Sequence, residues 1–132
     1  GGGGIMPDYF CPLDTTLYTP FHRKLAAKGI IVKQNLKIVD TMRKKLLKQY
    51  PTFEQYASTF TLPQSIIDEI LAEGEKAGIK PKDDEELQRT IPYLSLQMKA
   101  LIARDLWEMT AYFRVMNEEN EMVKTALKLF NE

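Results

Sequence analysis

Seven basic side chains crowd one stretch of this sequence: Lys28, Lys33, Lys37, Arg43, Lys44, Lys45 and Lys48, interrupted only by Asp40. In helical register Lys33, Lys37, Lys44 and Lys48 share one face, four apart over part of its length. Phosphates, anionic lipid headgroups or a protein surface could meet such a face, or it could simply be solvated. Against nucleic acid stands the exact balance of 18 Lys plus Arg with 18 Asp plus Glu. No aromatic residues are interleaved with the lysines for base stacking either. These four lysines are the candidate contact surface.

Catalytic chemistry finds no comparable pattern. The only histidine, His22, follows Pro20-Phe21, and Ser58, Ser65 and Ser95 lack the glycine-flanked turn of a hydrolase nucleophile. Lysines abound, but no glycine-flanked serine accompanies one at a strand-to-helix turn. One His, one Cys and scattered carboxylates give no closed set of zinc ligands. Glu118-Glu119-Asn120-Glu121 lacks the spacing of a calcium loop. The lone Cys11, among Tyr9, Phe10 and Pro12, reads as a small buried apolar residue. Catalytic, metal and cofactor residues are therefore assigned to none of these positions.

The elements that would position the lysines are helical. Leu17, Phe21 and Leu25 recur four apart before Lys28-Gly29, which predicts a helix over about 17–28 with N-cap candidates in Asp14-Thr15-Thr16. Val32, Leu36, Val39, Met42, Leu46 and Tyr50 then mark one buried stripe ended by Pro51. Thr52-Phe53-Glu54-Gln55 has the form of a capping arrangement, with Phe53, Tyr56, Ala57 and Phe60 on one side. A fourth helix from Gln64 or Ser65 carries Ile66, Ile67, Ile70 and Leu71 toward Gly78, although Gly74 within it disfavours a helix. Acids at Asp83-Asp84-Glu85-Glu86 suit a helix start. From Leu87 to Met116 the helical period persists, and Pro92 should kink or divide that run. Trp107, Tyr112, Phe113 and Met116 follow the period and read as core. Val123, Leu127 and Phe130 extend the pattern, with Asn120 as a polar interruption.

The opening differs. Gly1-Gly2-Gly3-Gly4 cannot pack side chains, and no Gly-Lys-Ser/Thr follows to make a phosphate loop. Tyr9-Phe10-Cys11-Pro12-Leu13 reads as a short extended segment. Gly3-Gly4-Ile5-x-Pro7-Asp8 resembles the glycine-rich segment that closes the catalytic domain of the C-terminal processing peptidases, the tail-specific serine proteases. Pro12-Leu13-Asp14-Thr15-Thr16, Ala100-Leu101-Ile102-Ala103-Arg104-Asp105-Leu106-Trp107 and Met116-Asn117-Glu118-Glu119-Asn120 are similar to the helical extension of a bacterial branch of that family. The resemblance implies that residues 1–16 are the trailing edge of an upstream peptidase domain and 17–132 a helical C-terminal domain. It also implies a parent with a Ser-Lys dyad and a PDZ module upstream, protein substrates, and export to the periplasm or cell envelope. None of those catalytic roles falls on a position of this chain. The other reading is a glycine linker before a helical adaptor or interaction domain unrelated to proteolysis.

At 132 residues the chain is long enough for one domain with a core. No apolar run approaches the ~18 residues of a membrane helix. Residues 1–52 hold nine basic and three acidic side chains, and 53–132 hold nine and fifteen. That asymmetry would allow self-association, or would leave two solvated surfaces, the reading favoured because exposed pairs stabilise weakly. The expectation is an all-α irregular bundle of about five or six helices, preceded by a short extended segment.

Overall fold

Thr19 decides where the first helix begins. Its backbone is extended, and its hydroxyl accepts from the His22 N–H (3.2 Å), so it caps the helix. Pro20 follows at the first helical position, where a missing N–H costs little. The helix thus starts at 20, later than the apolar spacing predicts.

A computed structural model describes residues 18–118 of the chain. Among the described residues there are six helices and no strand. They are α1 (Pro20–Ala27), α2 (Ile30–Gln49), α3 (Phe53–Thr59), α4 (Gln64–Lys76) and α5 (Asp84–Leu106), with α6 at 109–118. The extended segment at 9–13, Cys11, the candidate caps at 14–16 and the periodic residues Val123, Leu127 and Phe130 lie outside the described residues. The expected all-α bundle is what the chain forms.

Two glycines make the corners. Gly29 adopts left-handed backbone (φ 78°), donates to the Ala26 carbonyl (3.0 Å) and accepts from the Lys33 N–H (3.0 Å). One residue therefore ends α1 and begins α2. At the end of α4, Gly78 (φ 82°) donates to Glu75 O (3.0 Å) and Ile79 N–H to Gly74 O (2.8 Å). This pair of bonds satisfies carbonyls that the helix end would leave orphaned.

α5 is the centre of the bundle. Met98, Lys99, Ala100, Leu101, Ile102 and Ala103 are buried in succession, so this part of the helix has no solvated face. α1, α2 and α4 pack on it, and α3 joins through Tyr56, whose hydroxyl donates to Lys99 O (2.7 Å). In return the Lys99 ammonium donates to Ala57 O (2.8 Å) in the last turn of α3, where a cation is favoured. Phe53, Tyr56 and Trp107 pack edge to face there. Pro92 does not divide the helix. The break falls instead at Trp107 (φ −123°, ψ −85°), where α6 turns away and Met109 is left exposed.

The start of α5 is tied to the start of α1 by one side chain. Asp83 caps α5 by accepting from Glu86 N–H (2.9 Å). Glu86 itself is buried, and its carboxylate accepts from Phe21 N–H (2.9 Å) and from Lys82 N–H (2.7 Å). Phe21 lies in the first turn of α1, whose N–H groups lack partners within the helix. Thr90 Oγ1 donates to Glu86 O (2.7 Å) and shares a hydrogen bond with Thr19 Oγ1.

Gly74 has a packing reason. A Cβ there would come within 2.6 Å of Leu25 Cδ2, and Leu25 is fully buried.

Two outcomes follow from these contacts. Glu86→Ala strands two backbone donors and should lower stability by roughly 2–4 kcal/mol in urea unfolding; a loss below about 1 kcal/mol would refute the tie. Gly74→Ala gains about 1 kcal/mol of helix propensity but overpacks Leu25 by roughly 1–3 kcal/mol. The net should be destabilising, and Leu25→Ala should cost less on the Gly74→Ala background than alone. Simple additivity would show that the two do not compete for space.

Candidate functional site

α2 carries its lysines outward because its inner face is fixed by partners on α4 and α5. The buried positions are Ile30, Ile31, Gln34, Asn35, Ile38, Val39 and Leu46; the expected stripe holds at Val39 and Leu46 but not at Val32 and Leu36. Those two are 50% and 58% exposed. Gln34 and Asn35 hold core positions because each is bonded: Gln34 Nε2 donates to Glu69 Oε1 (2.6 Å) and Asn35 Nδ2 to Asp105 Oδ2 (2.7 Å). A buried amide is tolerated when it is paired. The helix is therefore rotated from the apolar expectation over its first half.

Lys33, Lys37, Lys44 and Lys48 are all exposed on α2, as the helical register requires. Lys37 Nζ lies 3.3 Å from Glu69 Oε1. Among the described residues Lys28, Lys33, Lys44 and Lys48 make no ion pair. The structure splits the four into two pairs. Lys33 and Lys37 border a cleft of about 710 Å³ between the α1–α2 corner and the end of α4, while Lys44 and Lys48 lie outside it. Lys28 shares their wall, and Glu73 and Lys76 form the opposite one. Ile30 and Ala77 add apolar surface. Sequence spacing could reveal the stripe but not Lys76, which reaches the cleft only through the packing of α4 on α2.

Carboxylates around α2 are held ionised. Hydrogen bonding from Gln34, then the Lys37 bond and charge, keep Glu69 below the usual carboxylate range. Burial pushes Asp105 up, but bonds from Arg104 and Asn35 and the charges of Arg104 and Arg43 together outweigh it and hold it low. Arg43 Nη1 also donates to Asp105 O (2.9 Å), which fastens the end of α5 to α2.

His22 is fully buried rather than positioned beside a nucleophile. Its Nε2 bonds Gln97 Oε1 (2.6 Å), and its ring stacks on Tyr18 (centroids 4.0 Å, 15°). Because Oε1 can only accept, the proton is on Nε2, and Nδ1 has no partner among the described residues. Burial lowers the His22 pKa, against the Gln97 bond that raises it. Burial also pushes the neighbouring Tyr18 hydroxyl up, with Tyr112 and Tyr93 adding to it. This ring is a neutral core group. No cluster of three metal-ligating side chains occurs among the described residues, and no helix among them is long and apolar enough to cross a membrane.

A family model matches residues 21–108, the segment from α1 to the break after α5. The chain belongs to that family, a family of unknown function (DUF8443). No curated protein and no solved structure matches the chain. Within DUF8443 the matched segment contains the whole cleft, including Lys28, Lys33, Lys37 and Lys76.

Buried His22 sets a pH dependence. Its folded pKa lies below its free value of about 6.5, so the unfolded chain takes up a proton first. Stability should be flat above neutral pH and fall as pH drops through the free value near 6.5, by at most ~1.4 kcal/mol per pH unit. The loss levels off below the folded pKa. Carboxylates with depressed pKa values, such as Asp105, weaken the fold only at lower pH. Urea midpoints across that window should slope in the native chain and flatten in His22→Phe; equal slopes would refute the assignment.

Proposed function

We propose that this chain is the non-catalytic helical domain of a C-terminal processing serine endopeptidase. It would serve that enzyme in substrate positioning, partner docking or oligomerisation. The observation that carries this reading is the resemblance of Gly3-Gly4-Ile5-x-Pro7-Asp8 and of Ala100–Trp107 to that family. The second stretch holds buried Ala100, Leu101, Ile102, Ala103 and Leu106 together with Asp105, which binds Asn35. It is thus largely packed into the core, and a likeness there concerns the helical fold itself. The parent would be a hydrolase exported to the periplasm or cell envelope, with its serine and lysine upstream of Gly1.

A second reading is a helical interaction or adaptor domain unrelated to proteolysis. It is favoured by one observation: the lysine-lined cleft is built from the α1–α2 corner, α2 and the end of α4.

The two readings separate in the natural parent protein. Under the first, a PDZ-like segment and a serine-bearing catalytic domain precede Gly1, and the parent cleaves a protein with an apolar C-terminus. Serine-to-alanine replacement in that domain abolishes cleavage. The isolated chain cleaves nothing, and a parent truncated before residue 17 changes in activity or assembly. A parent with no hydrolase ahead of Gly1 overturns the peptidase reading and leaves the adaptor.

A further inference from the structure

The cleft between the α1–α2 corner and α4 combines three properties that seldom coincide on a solvated face. It is concave, at about 710 Å³, rather than a flat patch. Its cations come from two helices and the corner joining α1 to α2: Lys33 and Lys37 stand one turn apart on α2, Lys28 at the corner and Lys76 across the gap on α4. Among these, Lys37 and Lys76 are already partly neutralised by Glu69 (3.3 Å) and Glu73 (3.4 Å). Lys28 and Lys33 have no ion partner among the described residues. Exposed Ala77 and the largely buried Ile30 line the cleft, and Val32 and Leu36 are exposed on the same helix as Lys33.

We infer that this cleft binds an acidic peptide segment of a partner protein, one that carries carboxylates beside apolar side chains. This inference goes beyond the peptidase reading and does not depend on it. Charge complementarity selects an anionic occupant. Carboxylates bind Lys33 and Lys28 in such a site, and apolar side chains lie against Ala77 and the exposed Val32 and Leu36. A membrane is a poor match, because a concave site cannot lie against a flat headgroup plane. A single-stranded nucleic acid is a poor match too, because no aromatic lines the cleft for stacking. Glu73 holds Lys76 only through an exposed pair, which an incoming carboxylate can replace.

The experiment is fluorescence anisotropy on the whole chain, with a labelled short peptide of alternating Glu and Leu and its Gln-for-Glu counterpart. The Glu peptide should bind at least about tenfold more tightly than the Gln peptide, and added salt should weaken it. Lys33→Glu combined with Lys76→Glu should cost at least about tenfold. Lys44→Glu combined with Lys48→Glu makes the same charge change outside the cleft and should cost no more than about twofold. Circular dichroism checks folding of each variant, and Lys33→Gln with Lys76→Gln gives the milder test in the same direction. Equal losses in the two charge-reversed variants would overturn the proposal, because attraction would then follow net charge alone. So would absence of Glu-peptide binding at low salt. Tighter binding of a single-stranded oligonucleotide or of phosphatidylserine vesicles, lost in the same cleft variant, would replace the peptide with that partner class.

Discussion

A helix enclosed by its neighbours has no water to satisfy the polar groups it carries, and α5 carries several. Glu86, Thr90 and Lys99 are buried along it, and Asp105 is half-buried near its end. An unmet polar group inside a protein costs on the order of 1–3 kcal/mol, more if charged. Each of these side chains therefore dictates what must lie beside it. Glu86 requires the open N–H groups at the start of α1, Lys99 the last carbonyls of α3, and Asp105 the amide of Asn35 on α2. Apolar burial alone would let the outer helices slide along α5. The polar contacts fix their register.

Much of this was legible in the residues. The order of helices, the stop at Pro51, the Thr52 and Asp83 caps and the glycine corner at Gly29 all follow from local chemistry. Glu86 also had a signal, since Asp83-x-x-Glu86 has capping-box spacing. That pattern places Glu86 on its own helix start, yet half of its bonding goes to Phe21, 65 residues away. Only the tertiary fold could reveal that second half. The apolar stripe of α2 misled for a related reason. Counting hydrophobic residues assigns Val32 and Leu36 to the core, whereas Gln34 and Asn35 take those places once Glu69 and Asp105 arrive to pair them. Gly74, a weak point for a helix judged by propensity, is where α4 accommodates Leu25 of α1.

The candidate site shows the same division between local and tertiary information. A lysine stripe four apart is visible in the sequence, but all four positions look equivalent there. The fold distinguishes them, because α4 approaches only the first half of α2. Its approach gives Lys37 an acidic partner and brings Lys76 to the other side of the gap. Lys44 and Lys48 stay on the open surface.

The bonds that fasten α2 also bear on the charges of its outer face. Of the acids nearest this helix, Asp105 is turned inward to Asn35 and Arg104, and Glu69 is divided between Gln34 and Lys37. Glu69 thus serves both faces of α2, bonding Gln34 on the inner one and Lys37 on the outer one. Gln34 and Lys37 share one oxygen of Glu69, so the packing of α4 on α2 sets part of the charge balance beside the cleft. The face that meets solvent and the face that builds the core are coupled through these two amides.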